Sequence, residues 1–226
     1  MSKMKKMLLA LAVSVALPMS SMSAAGEPAE LDADTVTYDM STGVATATGD
    51  VLIRRGTARV TGAKATYNSK TQEATVEGSV IATRDDMRLT CAKVVSDGQG
   101  HILASGNVQG AQADKSFSGE QVDYYPNQGN YVLMPLGGTL ANADATFTAS
   151  RIEGWLDEEH YVGTGSAHLV SPARNMEAGG DAMDYQGKEQ GVVVVTGNAW
   201  AIQGNNTLKS NRLTLYLAQD GQAKVK

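Results

Sequence analysis

Residues 33–51 read ADTVTYDMSTGVATATGDV, and the way these nineteen residues alternate decides the fold class. A short strand ends near Tyr38, a polar turn follows at Asp39-Met40-Ser41-Thr42-Gly43, and a second strand runs into Gly49-Asp50-Val51. In the second strand Ala45, Ala47, Gly49, Val51 and Ile53 share one face, while Thr46, Thr48 and Asp50 share the other. That is the period of two expected of a half-buried strand. Enrichment in Val, Thr and Tyr favours strands over helices.

The pattern returns along the chain. Residues 63–80 read AKATYNSKTQEATVEGSV and residues 92–108 read AKVVSDGQGHILASGNV. Looser copies follow at 119–140, 149–167 and 178–199, with a half-copy at 208–226. Gly49, Gly78, Gly106, Gly138 (or its neighbour Gly137), Gly165 and Gly197 end the units at spacings of 29, 28, 32, 27 and 32 residues. A recurring period near 30 means that units stack, because one strand pair cannot bury its own apolar face. Asn68-Ser69-Lys70, Ser96-Asp97-Gly98 and Gln219-Asp220-Gly221 have ordinary turn chemistry. No amphipathic helix is read after residue 25.

Parity repeats as well. Ala74, Val76 and Val80 oppose Thr75, Glu77 and Ser79; Ile102, Ala104 and Val108 oppose Ser105 and Asn107; Tyr161, Gly163, Ala167 and Leu169 continue the row. One continuous apolar face is expected, lined mainly by small side chains, since the chain holds only two Phe (117 and 147) and two Trp (155 and 200). Two explanations stand open. Either the sheets approach closely and Val, Ile, Leu and Ala fill the space to normal density, or the interior is incompletely filled and accepts an apolar guest.

The first 25 residues read as an export signal: Lys3, Lys5 and Lys6, an apolar run from Met7 to Leu17, Pro18, and small residues to Ser23-Ala24-Ala25. Without those three lysines, 16 cationic side chains face 24 acidic ones, a net charge of −8. Nothing basic enough for nucleic acid remains. Cys91 is the single cysteine, so no internal disulfide is available, and a buried bystander is its expected role.

Catalytic and metal chemistry find little support. Asp157-Glu158-Glu159-His160 is the densest acidic cluster, but neighbours on a strand point to opposite faces and a hard cation wants converging oxygens. A solvated turn is the better reading, as it is for Asp85-Asp86. His101, His160 and His168 have no partner at zinc-site spacing, and no cofactor motif is present.

The tandem motifs resemble the LptA/OstA family of periplasmic lipopolysaccharide-transport proteins. The likeness is carried by Ala33-Asp34, Tyr38-Asp39 and Thr48-Gly49-Asp50-Val51, and by Val192 to Trp200 followed by Leu208 to Tyr216. It extends over residues 26–226. Units four and five depart from it, where Pro126, Met134-Pro135 and Trp155-Leu156 interrupt the pattern. The resemblance implies an all-β, open, twisted β-jellyroll of about seven strand-turn-strand repeats whose interior shields the acyl chains of lipid A. It also implies head-to-tail self-association and partners resembling LptC at the inner membrane and LptD at the outer. An LptC-like role for this chain is disfavoured by Ser23-Ala24-Ala25, since that component keeps its leader as an anchor.

The expected lipid-facing residues are Val51, Ile53, Val76, Val80, Ile102, Val108, Leu169 and Ala199. Each buried methylene gains about 0.8 kcal/mol, so one acyl chain of roughly a dozen carbons gains on the order of 10 kcal/mol. The edges expected to pair between copies are the first strand, about residues 30–38, with Leu31, Val36 and Tyr38, and the last, about 211–217, with Leu213 and Leu215. Two other readings are a structural envelope repeat protein with a filled core and a β-helix polysaccharide-degrading enzyme.

Overall fold

The computed structural model describes residues 30–187, 191–217 and 223–225. The expected leader at 1–25 and the expected turn at 219–221 lie outside the described residues. Among the described residues seventeen strands form one sheet, and every pairing between them is antiparallel. That excludes a β-helix, whose coils would pair in parallel.

Strands β1 (Glu30–Asp32) and β2 (Thr35–Asp39) both lie on β3 (Val44–Arg55). Then come β4 (Ala58–Asn68), β5 (Ala74–Arg84), β6 (Met87–Ser96), β7 (Ile102–Gln112) and β8 (Lys115–Tyr125), each paired with the one before. The next two strands are broken: β9 (Tyr131–Met134) with β10 (Gly138–Ala141), and β11 (Thr146–Ala149) with β12 (Arg151–Trp155). Pro135 stands in the first break, where its missing N–H removes a ladder bond. Finally β13 (His160–Ser171), β14 (Met176–Gln186), β15 (Val192–Gln203) and β16 (Asn206–Leu217) run in order, and β17 (Ala223–Val225) pairs with the end of β16. Single 3-10 turns sit at Leu156–Glu158 and Pro172–Arg174.

The repeat glycines do something other than end strands. In β3, β5, β7, β13 and β15 the ladder skips Gly49-Asp50, Gly78-Ser79, Gly106-Asn107, Gly165-Ser166 and Gly197-Asn198, then resumes. Both residues of each pair have left-handed φ, 79° and 50° at Gly106 and Asn107. Two such residues bend a strand without terminating it. At Gly106 a methyl group would also stand 2.5 Å from Cβ of Ala92 on the neighbouring strand, so φ and space both demand glycine there.

The kinks line up across the sheet and fold it lengthwise, so its two halves face each other across the core. Phe147 belongs to the half carried by β11, yet its ring covers Gly163 in the other half, where a Cβ would meet Cζ at 2.2 Å. Large rings elsewhere also settle on glycines of the neighbouring strand: Phe117 on Gly110, Tyr161 on Gly154 and Trp200 on Gly179. The scarcity of aromatic residues is thus matched by glycine slots that receive them. Buried residues from both halves join in one apolar cluster running from β3 to β16.

Candidate functional site

The interior is built from alternate residues of each kinked strand. Because a Gly-x kink in β3, β5, β7, β13 and β15 preserves parity, Ala47, Val51 and Ile53 fall inside together, as do Val76, Val80 and Ala82, and Ile102, Ala104 and Val108. Among the expected lipid-facing residues, Val51, Ile53, Val76, Val80, Ile102, Val108 and Ala199 are buried in the common cluster, and Leu169 packs half-buried against it. The returning strands contribute as much, through Val60, Leu89, Val94, Val122 and Met183. Simple alternation misses these, because β4 and β6 shift parity at their own irregularities, between Thr61 and Lys64 and between Thr90 and Lys93. The sequence signal was present in Gly62-Ala63 and, further on, Gly180-Asp181.

Among the described residues, both ends of this core leave apolar side chains exposed. Leu31, Val36 and Tyr38 lie opposite the inward residues Ile53, Ala47 and Ala45, yet remain 44%, 52% and 54% exposed. At the other end Leu208 lies opposite buried Ala201 and is 40% exposed. The expected last edge needs correction. Leu213 and Leu215 are buried core side chains, and β17 already occupies the ladder of β16 at 215–217. The β16 backbone that carries no further strand, among the described residues, is 206–214. Charge differs between the ends: Glu30, Asp32, Asp34 and Asp39 mark the first, Lys209 and Arg212 the last.

Between the facing halves a cleft of about 70 Å³ opens at one side, lined by Asp144, Phe147, Tyr161, Leu169, Arg174, Met183, Tyr185 and Val193 among others. The turn joining β10 to β11 and the Pro172–Arg174 turn form its rim. Burial, assisted by the nearby Glu159 charge, pushes the Tyr185 phenol up to about 12, so it stays neutral.

The outer face is held by polar and stacked pairs. Lys64 and Lys93 flank Glu77 at 3.6 and 3.7 Å. A run of rings starts at His101, just before β7, and crosses β8, β9, β12 and β13 as His101–Tyr125–Tyr131–Trp155–His160, with centroids 4.5 to 5.7 Å apart. The three histidines contact carboxylates, at 2.7 Å (Asp123), 3.1 Å (Asp184) and 2.7 Å (Glu177). Asp157 and Glu158 lie in the 3-10 turn before His160, where Asp157 accepts a bond from Asn130. Asp85-Asp86 likewise forms the β5–β6 turn. Cys91 is buried, its thiol bonded to the Lys93 carbonyl at 3.5 Å, and burial raises its pKa to about 11.

The sequence matches the family described as LptA/(LptD N-terminal domain) LPS transport protein over residues 30–66, 59–159 and 95–220. The chain belongs to that family. The three spans overlap, as expected where one motif fits a repeating chain in more than one register. LPS transport is therefore the setting of this LptA/LptD-type chain, and its twisted, kinked β-jellyroll is the matching architecture. No curated protein matches the sequence. Among solved structures it is similar to "LptH, the LptA homologous periplasmic component of the conserved lipopolysaccharide transport device from Pseudomonas aeruginosa", at 13% identity over 76% of this chain and 83% of that one. The TM-score is 0.23. Among the described residues no helix is long and apolar enough to cross a membrane.

Proposed function

We propose that this protein is a periplasmic carrier that shields lipopolysaccharide acyl chains between the halves of its folded sheet. It passes them from an LptC-like inner-membrane complex toward an LptD-like outer-membrane complex. The observation that carries this reading is one apolar cluster running from β3 to β16 that, among the described residues, leaves inward-facing side chains exposed at both ends. Leu31, Val36 and Tyr38 expose inward-facing side chains at one end and Leu208 at the other. Stacking one copy on the next would cover those residues and join two interiors into one path. The contact is heterologous, first strand against last, so it extends rather than closes. An acidic first edge facing a basic last edge favours that order over like-on-like pairing. A path of similar units cannot bias occupancy by itself, so direction comes from energy supplied elsewhere in the assembly.

One observation favours a second reading, a structural repeat protein with a filled core. Val51, Val76, Val80 and Val108 are fully buried, and the side cleft holds only about 70 Å³. For cargo to enter, the halves must part. A photo-crosslinking residue at Val80, with a control at the outward, half-exposed Glu77, separates the two readings. Capture of lipopolysaccharide at Val80 alone supports the carrier. Capture at both positions means surface adsorption. Capture at neither, in folded protein, leaves the structural reading.

A further inference from the structure

The side cleft carries a feature that a purely apolar path does not require. Arg174 closes the Pro172–Arg174 turn at the rim, above Phe147, Tyr161, Leu169 and Met183. One of its Nη atoms donates to the hydroxyl of Ser171 at a long 3.4 Å. That hydroxyl donates its own proton to the Asp144 carbonyl at 2.9 Å. The Arg174 Nε is buried and has no hydrogen-bond partner, the single such side-chain atom among the described residues. No carboxylate forms an ion pair with the guanidinium among those residues, not even Asp144, which lines the same cleft. A buried donor left unpaired costs free energy, and a guanidinium matches phosphate or carboxylate oxygens two at a time.

We propose that this cleft binds the anionic head group of an amphiphile, with Arg174 on the head group and the first carbons of the tail on Phe147, Leu169 and Met183. The proposal rests on the reading of the interior as a lipid path and adds to it where, and by which charge, the head is held. Asp144, which lines the same cleft, limits the site to a modest negative charge. Glu159, near Tyr185, adds to that limit. The neutral Tyr185 phenol beside Arg174 imposes no repulsion of its own.

The test titrates purified protein with dodecyl phosphate below its micelle concentration, with dodecyl maltoside as the neutral-headed probe and with inorganic phosphate alone. Calorimetry reads the affinities. Dodecyl phosphate is expected to bind at least about tenfold tighter than the maltoside, the worth of one charge-assisted contact. Arg174→Gln should remove that margin and leave maltoside binding unchanged. Arg174→Lys should restore part of it, and Asp144→Asn should widen it. Melting temperature should not fall in Arg174→Gln, because the side chain has little to lose, whereas a structural arginine would lower it. Equal binding of the two amphiphiles, or a margin that survives Arg174→Gln, overturns the head-group site while crosslinking at Val80 still decides the carrier reading. Inorganic phosphate binding as tightly as dodecyl phosphate makes the site one for a free anion and overturns it too. Failure of every amphiphile to bind, together with no capture at Val80, overturns both.

Discussion

Replacing Gly106 with alanine isolates the kink that folds the sheet. Two costs follow from the structure. With φ at 79°, an L side chain enters the left-handed region, at about 1–2 kcal/mol. The new methyl also lands 2.5 Å from Cβ of Ala92, and relieving such crowding in a packed sheet costs about 1–3 kcal/mol. Gly106→Ala should therefore lose about 2–5 kcal/mol. Gly129 supplies the control, since its φ is 67° and a Cβ there meets nothing within 4 Å. Gly129→Ala should lose only the conformational part, about 1–2 kcal/mol. Ala92→Gly removes the facing methyl, so the double variant with Gly106→Ala should recover the crowding part and show coupling of about 1–3 kcal/mol. Urea unfolding followed by far-ultraviolet circular dichroism measures all four variants, with the slope checked for constancy. If Gly106→Ala lies within about 0.5 kcal/mol of the parent, or Ala92→Gly recovers nothing, the kink is not held by φ and space as argued.

Three further outcomes are expected. Cys91, buried with its thiol raised to about 11, should resist a maleimide at pH 8 in native protein and react promptly in urea; equal rates would contradict its burial. Tyr131 and Tyr185 ionise near 12 in the folded chain against an ordinary 10, through burial in both and a hydrogen bond to Glu153 at Tyr131. The folded state thus holds protons that the unfolded state has released, so stability should be flat in this contribution below pH 10 and fall from 10 to 12. A urea midpoint unchanged over that window would refute it, and Tyr131→Phe should flatten the slope. Val36→Pro, on the exposed first edge, removes a backbone donor and should weaken end-to-end association in sedimentation velocity by roughly tenfold or more. Unchanged association would place the contact elsewhere.

The outgoing strands were legible from sequence because a Gly-x kink skips two residues, and two is the strand period. Val51, Val80 and Val108 therefore kept the parity of the residues before the kink. The returning strands were not, since their parity shifts, as from Cys91 to Val94 within β6. The glycines read as unit ends turned out to be mid-strand bends, because sequence gives residue type but not whether a ladder resumes beyond it. The last edge was misplaced for a related reason: β17 comes from the half-copy at 208–226, which the repeat alone did not show folding back on β16. Arg174 escaped notice because its meaning depends on two turns, at 142–145 and 172–174, that only the folded sheet brings to one rim.

Outside the broken strands β9–β12, the long strands take their ladder partners from the segments next to them in the chain. The contact order of the pairings is therefore low for an all-β protein of this size. Every hairpin closes a short loop, so the entropic cost of bringing its strands together is modest. Folding can begin at any one hairpin and spread to its neighbours rather than wait for the two chain ends to meet. The same wiring lets length vary: inserting or deleting one outgoing-and-returning pair leaves every other ladder intact and changes only how far the sheet reaches.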